Sequence, residues 1–210
     1  MKIIVLLFLF TQVNLSYSQT KNDHIISIIE NGNYITAIAE LKTSAKKDSI
    51  QKKWISWIGK QKIIGECYTK LNEYDALNKT TADIYVIIKR HSITDPKTLG
   101  DYHELNNKVF HLKEDMEEAY RQLQKSLYYK SKLHSDKELL IVYKSFLAYY
   151  NYKRDAKKSN FYISKLLSII RKNKIEKNKL IDVYNQIAFS IKLQKYNSPQ
   201  EYIDLNNRSI

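Results

Sequence analysis

The chain has 210 residues, 43% of them hydrophobic, which suffices for one ordinary domain or a short array of repeats. With only four glycines and two prolines, it lacks the turn residues that β-sandwiches, barrels and multi-strand sheets need about every ten residues. The formal net charge of +13 favours solubility and encounters with anions, but it does not specify a ligand.

The N-terminus has the features of a secretory signal peptide. A positive start is followed by an unbroken apolar run over residues 3–10 and by small residues before a cleavage point at Ser18/Gln19. This run is far shorter than the roughly 20 residues that span a bilayer, and no later stretch is apolar enough to do so. We therefore predict a signal peptide over 1–18, one mature domain over 19–210 without a transmembrane segment, and a periplasmic or secreted location.

Two helical hairpins are predicted next. A short amphipathic helix over 23–30 precedes the turn 31–33, where Gly and Asn tolerate positive φ, and a helix with apolar residues at steps of three and four follows. The second hairpin pairs a helix over 49–71 with a return helix that begins at Tyr74. The first half of the chain therefore reads as helix–turn–helix units.

Three further hairpins follow from an apolar pattern that occurs three times at an interval of 41 residues. Each copy has apolar residues at steps of three, three and four, which is helical spacing, and an aromatic residue in a second segment. The copies are Leu99, Tyr102, Leu105, Val109 and Tyr120; Leu140, Tyr143, Phe146, Tyr150 and Phe161; and Ile181, Tyr184, Ile187, Ile191 and Tyr202. Hairpins repeated in register stack into a solenoid, so we predict an all-α fold of about five hairpins.

The second hairpin contains Ile64, Gly65, Tyr68, Leu71 and Tyr74. This arrangement resembles the tetratricopeptide repeat (TPR) signature, in which a Leu-Gly pair precedes a Tyr by three residues and a second aromatic begins the return helix. In that family the Gly allows close approach of the two helices, and the fold is a right-handed solenoid of helical hairpins. The usual TPR period is 34 residues, against 40 to 41 here, and another helical-hairpin solenoid remains an alternative.

Three helix starts carry capping residues. Asp95-Pro96 and Ser198-Pro199 place a capping side chain before a proline at the first helical position. Ser135 begins a capping box in which Glu138 is expected to reach back to the backbone. The helix after Ser198 is short, so the last hairpin looks incomplete. We expect either a longer protein, or a partner or second copy that covers this uncapped hairpin.

Enzymatic sites are not expected. The five histidines show no i, i+4 pair for a metal ion, and the four scattered glycines cannot form a phosphate-binding loop. The single Cys67 has no cationic neighbour that would lower its pKa, which indicates a packed small residue. The sequence therefore predicts no catalytic residue, no metal ion and no cofactor.

Two surfaces are candidate binding sites. The 17 tyrosines combine apolar bodies with polar tips, which serve both packing and recognition. We expect a groove for a protein or peptide partner along the first helices of the hairpins, formed by Tyr102, Tyr143, Tyr149, Tyr152 and Tyr184, the repeated members of which also contribute to the core. A patch for an anionic ligand, running along one edge of the stack, would contain Lys153, Arg154, Lys157, Lys158, Arg171, Lys172 and Lys174.

The leading prediction is therefore an exported, non-enzymatic protein–protein interaction scaffold. The alternative follows from a second resemblance. Exported TPR arrays look like the periplasmic sensor part of bacterial regulators that continue into a membrane helix and an AraC-type helix-turn-helix. This sequence contains neither of those elements, so it would supply only the sensor portion and would not bind nucleic acid itself.

Overall fold

The computed structural model describes residues 23–173 and 180–194, and all regular secondary structure in these ranges is helical. The signal peptide, Lys174 and the Ser198 helix start lie outside the described residues. The helices are α1 (23–30), α2 (Tyr34–Ile50), α3 (Trp54–Leu71), α4 (Tyr74–Arg90), α5 (Pro96–Leu112), α6 (Met116–Ser131), α7 (Asp136–Tyr152), α8 (Ala156–Asn173) and α9 (Ile181–Leu193). The prediction of an all-α fold is confirmed.

The chain divides into two compact units, and the first spans Met1–Thr94. In this unit α2 packs against α3, and α3 packs against α4. Short links join these helices, so neighbours run antiparallel as helical hairpins. The core lies between them and includes Ile38, Leu41 and Ile64.

One predicted boundary in this unit is wrong. The helix expected over 49–71 begins instead at Trp54, because α2 continues to Ile50. Lys52 then adopts a left-handed conformation with φ of 56°, which ends α2 and turns the chain. Nothing in the residue types marks this turn, since it contains neither glycine nor proline.

The second unit spans Asp95–Ile210. Among its described residues, each helix from α5 to α9 packs against the next one along the chain, and α7 also packs against α9. One core cluster joins α7, α8 and α9 through Leu147, Leu166 and Ile187. A second joins α6 and α7 through Leu123 and Phe146. This is the packing of consecutive helical hairpins that the repeated apolar pattern predicts.

The helix ends explain how a chain with so few glycines makes many tight turns. Six helices end at a left-handed residue other than glycine: Lys52, Asn72, Ser92, Glu114, His134 and Arg154. At the end of α5 the Asp115 N–H donates to the Phe110 carbonyl at 3.0 Å, and at the end of α7 the Asp155 N–H donates to the Tyr150 carbonyl at 3.0 Å. These bonds satisfy carbonyls that the helix leaves without partners.

The helix starts predicted at Asp95 and Ser135 are confirmed, but the capping box at Ser135 is not. Asp95 Oδ2 accepts the Thr98 N–H at 2.8 Å, and Ser135 Oγ accepts the Glu138 N–H at 3.4 Å. The Glu138 carboxylate does not return to the backbone of Ser135. It lies beside the ammonium group of Lys130 instead, because that buried charge attracts it more strongly than an amide does.

The bounds of the helices repeat at 40 residues, whereas the buried positions of the first helices keep the predicted interval of 41, as at Leu105 and Phe146. Pro96 and Asp136 begin α5 and α7, and Leu112 and Tyr152 end them. Glycine-free turns of the same geometry follow both helices.

The return helices α6 and α8 follow the same interval of 40, with Leu123 and Ile163 both buried. Tyr120 and Phe161, which are 41 apart, are therefore not equivalent. Tyr120 is half-buried, whereas Phe161 is 52% exposed because a shift of one residue rotates a side chain by about 100° around the helix. The third member of that series, Tyr202, lies outside the described residues.

Candidate functional site

An aromatic cluster fills the space between α6, α7 and α8. The ring of Tyr149 stacks on Tyr120 with centroids 4.7 Å apart, and Phe146 stacks on Tyr162 at 4.8 Å. The hydroxyl oxygens of Tyr120 and Tyr150 share a hydrogen bond of 2.9 Å. Tyr149, expected in a binding groove, is therefore half-buried in the interior of the second unit.

Burial in this cluster raises the pKa of three hydroxyl groups, those of Tyr149, Tyr150 and Tyr162. Burial raises the pKa of Tyr162 to about 12. Burial, together with the hydrogen bond to Tyr120, also raises the pKa of Tyr150 well above its usual range. All three hydroxyls are therefore neutral at physiological pH, and the cluster acts as a packing element.

The three repeated tyrosines do not share one environment. Tyr102 is half-buried, and its hydroxyl accepts a hydrogen bond of 3.4 Å from Asn106 Nδ2. Tyr143 is half-buried with its ring 5.8 Å from that of Tyr162, and Tyr184 is 41% exposed. The buried position of the repeat lies three residues further on, at Leu105, Phe146 and Ile187.

A groove of about 420 Å³ lies between α7 and α9, and we call it the α7/α9 groove. Two of its aromatic side chains face solvent, with Tyr152 60% exposed and Phe189 42% exposed. Of the five tyrosines predicted to line a groove, Tyr152 is the one that lies here. The lining residues are Ala148, Asn151, Tyr152, Arg154, Gln186, Phe189 and Leu193.

Asn151 lies at the buried side of the groove and is only 6% exposed. Its Oδ1 accepts hydrogen bonds from Ser159 Oγ at 3.0 Å and from Ser190 Oγ at 2.7 Å, which ties α7 to α8 and α9. Among the described residues its Nδ2 has no hydrogen-bond partner. An unsatisfied buried donor costs about 1–3 kcal/mol, and this nitrogen is enclosed by the protein, so a group in the groove does not reach it.

Local structure places the rest of the groove. Arg154 adopts the left-handed conformation that ends α7, with φ of 56°, and this puts its side chain among the lining residues. On the facing helix, Gln186 Nε2 donates to the Lys144 carbonyl at 3.0 Å and fixes α9 against α7. The two walls of the groove are thus held by hydrogen bonds between the helices.

The candidate anion-binding residues fall into two groups. Lys153, Lys157 and Lys158 are exposed at the turn between α7 and α8, together with Arg154 at the groove. The ammonium of Lys158 lies 4.9 Å from the ring centre of Tyr150. Of these four cations, Arg154 lines the groove, and the three lysines lie at the adjoining turn.

The second group lies at the other end of α8. Arg171 is exposed, and Lys172 Nζ donates to Asp136 Oδ2 at 2.8 Å. At a rise of 1.5 Å per residue, about 20 Å of helix separates Lys158 from Arg171. The structure therefore does not bring the two groups together along one edge. Binding of an anion by either group stays a prediction.

Two other side chains that could be reactive, Cys67 and His103, are buried and half-buried respectively. Burial raises the pKa of the Cys67 thiol to about 11, so this cysteine is a poor nucleophile at neutral pH. Burial lowers the pKa of His103, although its Nδ1 contacts Gln122 Oε1 at 2.7 Å, which acts in the opposite direction. Over residues 23–173 and 180–194, no group of three His, Cys, Asp or Glu side chains could hold a metal ion.

The sequence analysis did not find Asn151. The signal that the sequence offers is an amide in the largely apolar run from Phe146 to Tyr152. Such a residue needs hydrogen-bond partners once buried, and these come from helices far along the chain. Spacing alone could not identify Ser159 and Ser190 as those partners.

Comparisons with known proteins identify a fold and no family. No family model matches the chain, and no curated protein sequence matches it. Among solved structures, the chain is similar to BtubC (BKLC) from P. vanneervenii, with a TM-score of 0.62 and 12% sequence identity, over 79% of this chain and 68% of that one. At this identity the likeness shows the fold alone, which is helical and repeat-like. Within the described part of the chain, no helix has the length and apolar character needed to cross a membrane.

Proposed function

We propose that this protein is a non-enzymatic scaffold that binds a segment of another polypeptide in the α7/α9 groove. The observation that carries this proposal is the groove itself, in which Tyr152 and Phe189 expose large aromatic side chains. An extended peptide can occupy such a groove, because its side chains can cover apolar surface.

The two exposed aromatic residues would anchor the partner. Tyr152 and Phe189 flank the groove with large side chains that lose little conformational freedom on binding, which is typical of residues that dominate interface energy. The cations at the α7–α8 turn would favour a partner that carries negative charge near the bound segment.

We also propose that the scaffold is TPR-like and exported. Support for the first part comes from the consecutive hairpins, from Gly65 buried in α3 before Tyr68, and from the helical likeness to BtubC. Support for export comes from the composition of residues 1–18 alone. In the proposed role the protein carries out no catalysis.

A displayed library of random peptides tests the binding proposal. Peptides selected on the chain without residues 1–18 should bind the Phe189→Asp variant at least about tenfold more weakly, because a charge in the groove opposes burial of an apolar side chain. Phe161→Asp is the matched control, since Phe161 is 52% exposed and lies on α8 away from the groove. It should change affinity less than twofold.

Two results would contradict the proposal. One is a library that yields no binders with a measurable affinity for the folded chain. The other is a set of binders that Phe161→Asp weakens as much as Phe189→Asp, with both variants shown to be folded by circular dichroism.

A further inference from the structure

The side chain of Lys130 on α6 is fully buried, at 0% exposure. Its Nζ donates to Glu104 Oε2 at 2.5 Å and lies 3.0 Å from Asp101 Oδ1 and 3.1 Å from Glu138 Oε2. One ammonium group therefore has three carboxylates around it in the interior of the second unit. A lysine is almost never buried completely unless it is paired in this way.

A second cation lies at the edge of the same cluster. Lys97 Nζ donates to Asp101 Oδ2 at 2.7 Å and lies 3.4 Å from Glu138 Oε1, and its side chain is 56% exposed. The charge cluster thus contains two ammonium groups and three carboxylates. Its members are Lys97, Asp101 and Glu104 on α5, Lys130 on α6 and Glu138 on α7.

The backbone makes room for this cluster. Gly100 on α5 faces the stem of Lys130, and a Cβ at Gly100 would lie 2.6 Å from Lys130 Cγ. Ser126, one turn before Lys130, donates from Oγ to the Gly100 carbonyl at 3.0 Å. A glycine and a small hydroxyl side chain therefore let α6 approach α5 closely enough to bury the lysine.

The cluster connects two hairpins through a single residue. Glu138 lies in the first turn of α7, just after the Ser135 cap, and it is the member that belongs to the α7/α8 hairpin. Its two oxygens contact Lys97 and Lys130, which lie on the two helices of the preceding hairpin.

We propose that this charge cluster is an acid-sensitive latch that holds the first turn of α7 against α5 and α6. A buried ammonium group is stable only while its counter-charges remain, because the protein interior screens charge poorly. An exposed carboxyl group takes up a proton near pH 4. Opening the latch releases the Asp101 and Glu104 carboxylates from the buried ammonium group that favours their charged form, so the open state binds more protons and opening becomes more favourable as the pH falls.

Amide hydrogen exchange on the mature chain between pH 7.5 and 4 tests this proposal. After correction for the intrinsic exchange rate, the opening constant of amides in α5, α6 and the first turn of α7 should rise as the pH falls below about 5 and should change about tenfold per pH unit near pH 4. In the variant Asp101→Asn/Glu104→Gln/Lys130→Met/Glu138→Gln, the cluster no longer titrates, and the rise should be under threefold per unit.

A surface carboxylate provides the matched control. Glu117→Gln removes an exposed carboxylate on α6 outside the cluster, and it should leave the pH dependence of the wild-type chain unchanged. Should the quadruple variant fail to fold, Glu104→Gln alone leaves two carboxylates beside two ammonium groups. The slope of the logarithm of the opening constant against pH should then fall by about two thirds of a proton near pH 4.

The latch is refuted by any of three observations. The first is an opening constant in the wild-type chain that does not change with pH. The second is an equally steep rise in the quadruple variant. The third is a Glu104→Gln slope equal to that of the wild type.

Discussion

The hairpins α5/α6 and α7/α8 have the same turn geometry and opposite interior chemistry. Equivalent positions of the return helices lie 40 residues apart. Ser126 in α6 corresponds to Leu166 in α8, and both are fully buried. Lys130 in α6 corresponds to Ile170 in α8, at 0% and 8% exposure. The first hairpin is closed by ion pairs and the second by stacked rings and aliphatic packing.

This difference separates what a helical repeat must keep from what it can vary. Both hairpins keep an aspartate cap on the return helix and a left-handed residue at the preceding turn, at Glu114 and Arg154. These features fix the backbone conformation of the turn and the first residue of the return helix. The interior then accepts either polar or apolar residues, provided that each buried polar group has its partners.

The largest expected effect comes from placing methionine at the two equivalent positions. Lys130→Met should reduce the free energy of unfolding by about 3–5 kcal/mol, because three carboxylates would stay buried without their central cation. Ile170→Met conserves volume in an apolar site and should cost under about 1.5 kcal/mol. Urea denaturation followed by circular dichroism measures both.

If Lys130→Met reduced the free energy of unfolding as little as Ile170→Met, this result would contradict the difference between the two hairpin interiors. It would mean that water reaches the three carboxylates and that the α5/α6 interior is not closed. The m-value provides a check, since it should be the same for both variants if each remains compact before the transition.

The second prediction concerns alkali and the α7/α8 hairpin. Burial raises the pKa of Tyr162 to about 12, so its neutral form is favoured in the folded state. The resulting stabilisation is complete below the usual tyrosine pKa of about 10 and is lost as the pH rises towards 12. The opening constant of this hairpin should therefore rise by about tenfold per pH unit in that interval.

A stopped-flow jump to pH 11.5 with absorbance at 295 nm measures this effect. Exposed tyrosines ionise within the dead time, whereas Tyr150 and Tyr162 should ionise in a slow phase that reports opening. Tyr162→Phe should remove part of the slow phase. Tyr128→Phe, at a ring that is 58% exposed, should reduce only the fast phase. A single fast phase for all tyrosines would show that the cluster is open to water.

The helical architecture was predictable because it depends on local patterns. Apolar steps of three and four located the helices of the second unit, and Asp95 and Ser135 gave their starts to the residue. The turns were harder, since four of the six left-handed residues are of types that do not favour this conformation, and only Asn72 and His134 are of types that do. The end of α2 at Ile50 was missed for that reason.

The candidate site and the charge cluster were not predictable from spacing. Asn151 becomes a buried donor only because Ser159 and Ser190 approach it from two other helices. Lys130 reads as one more surface lysine in a chain with 35 basic residues, and its three partners lie 8 to 29 positions away. Such sites depend on contacts between helices. A single sequence cannot locate these contacts, because its repeat is compatible with an interval of either 40 or 41 residues.

The smallest expected effect on the free energy of unfolding comes from replacing a glycine by alanine, either where α6 packs closely against it, at Gly100, or where the space beside it is open, at Gly59. Gly100→Ala places a Cβ 2.6 Å from Lys130 Cγ, and the three carboxylates prevent that side chain from moving away. Overpacking of this kind costs about 1–3 kcal/mol, and the helix preference of alanine returns up to about 1 kcal/mol, so the net effect should be a loss of about 1–2 kcal/mol.

Gly59→Ala on α3 is the matched control, because a Cβ there meets nothing within 4 Å and should stabilise by up to about 1 kcal/mol. Thermal denaturation of the two variants should therefore give shifts of opposite sign. The cost of Gly100→Ala should shrink in the Lys130→Met background, since a methionine side chain is not tied to carboxylates and can turn away from the new methyl group. An undiminished cost in that double variant would place the obstruction in the backbone of α6 and would remove Lys130 as the reason for the glycine.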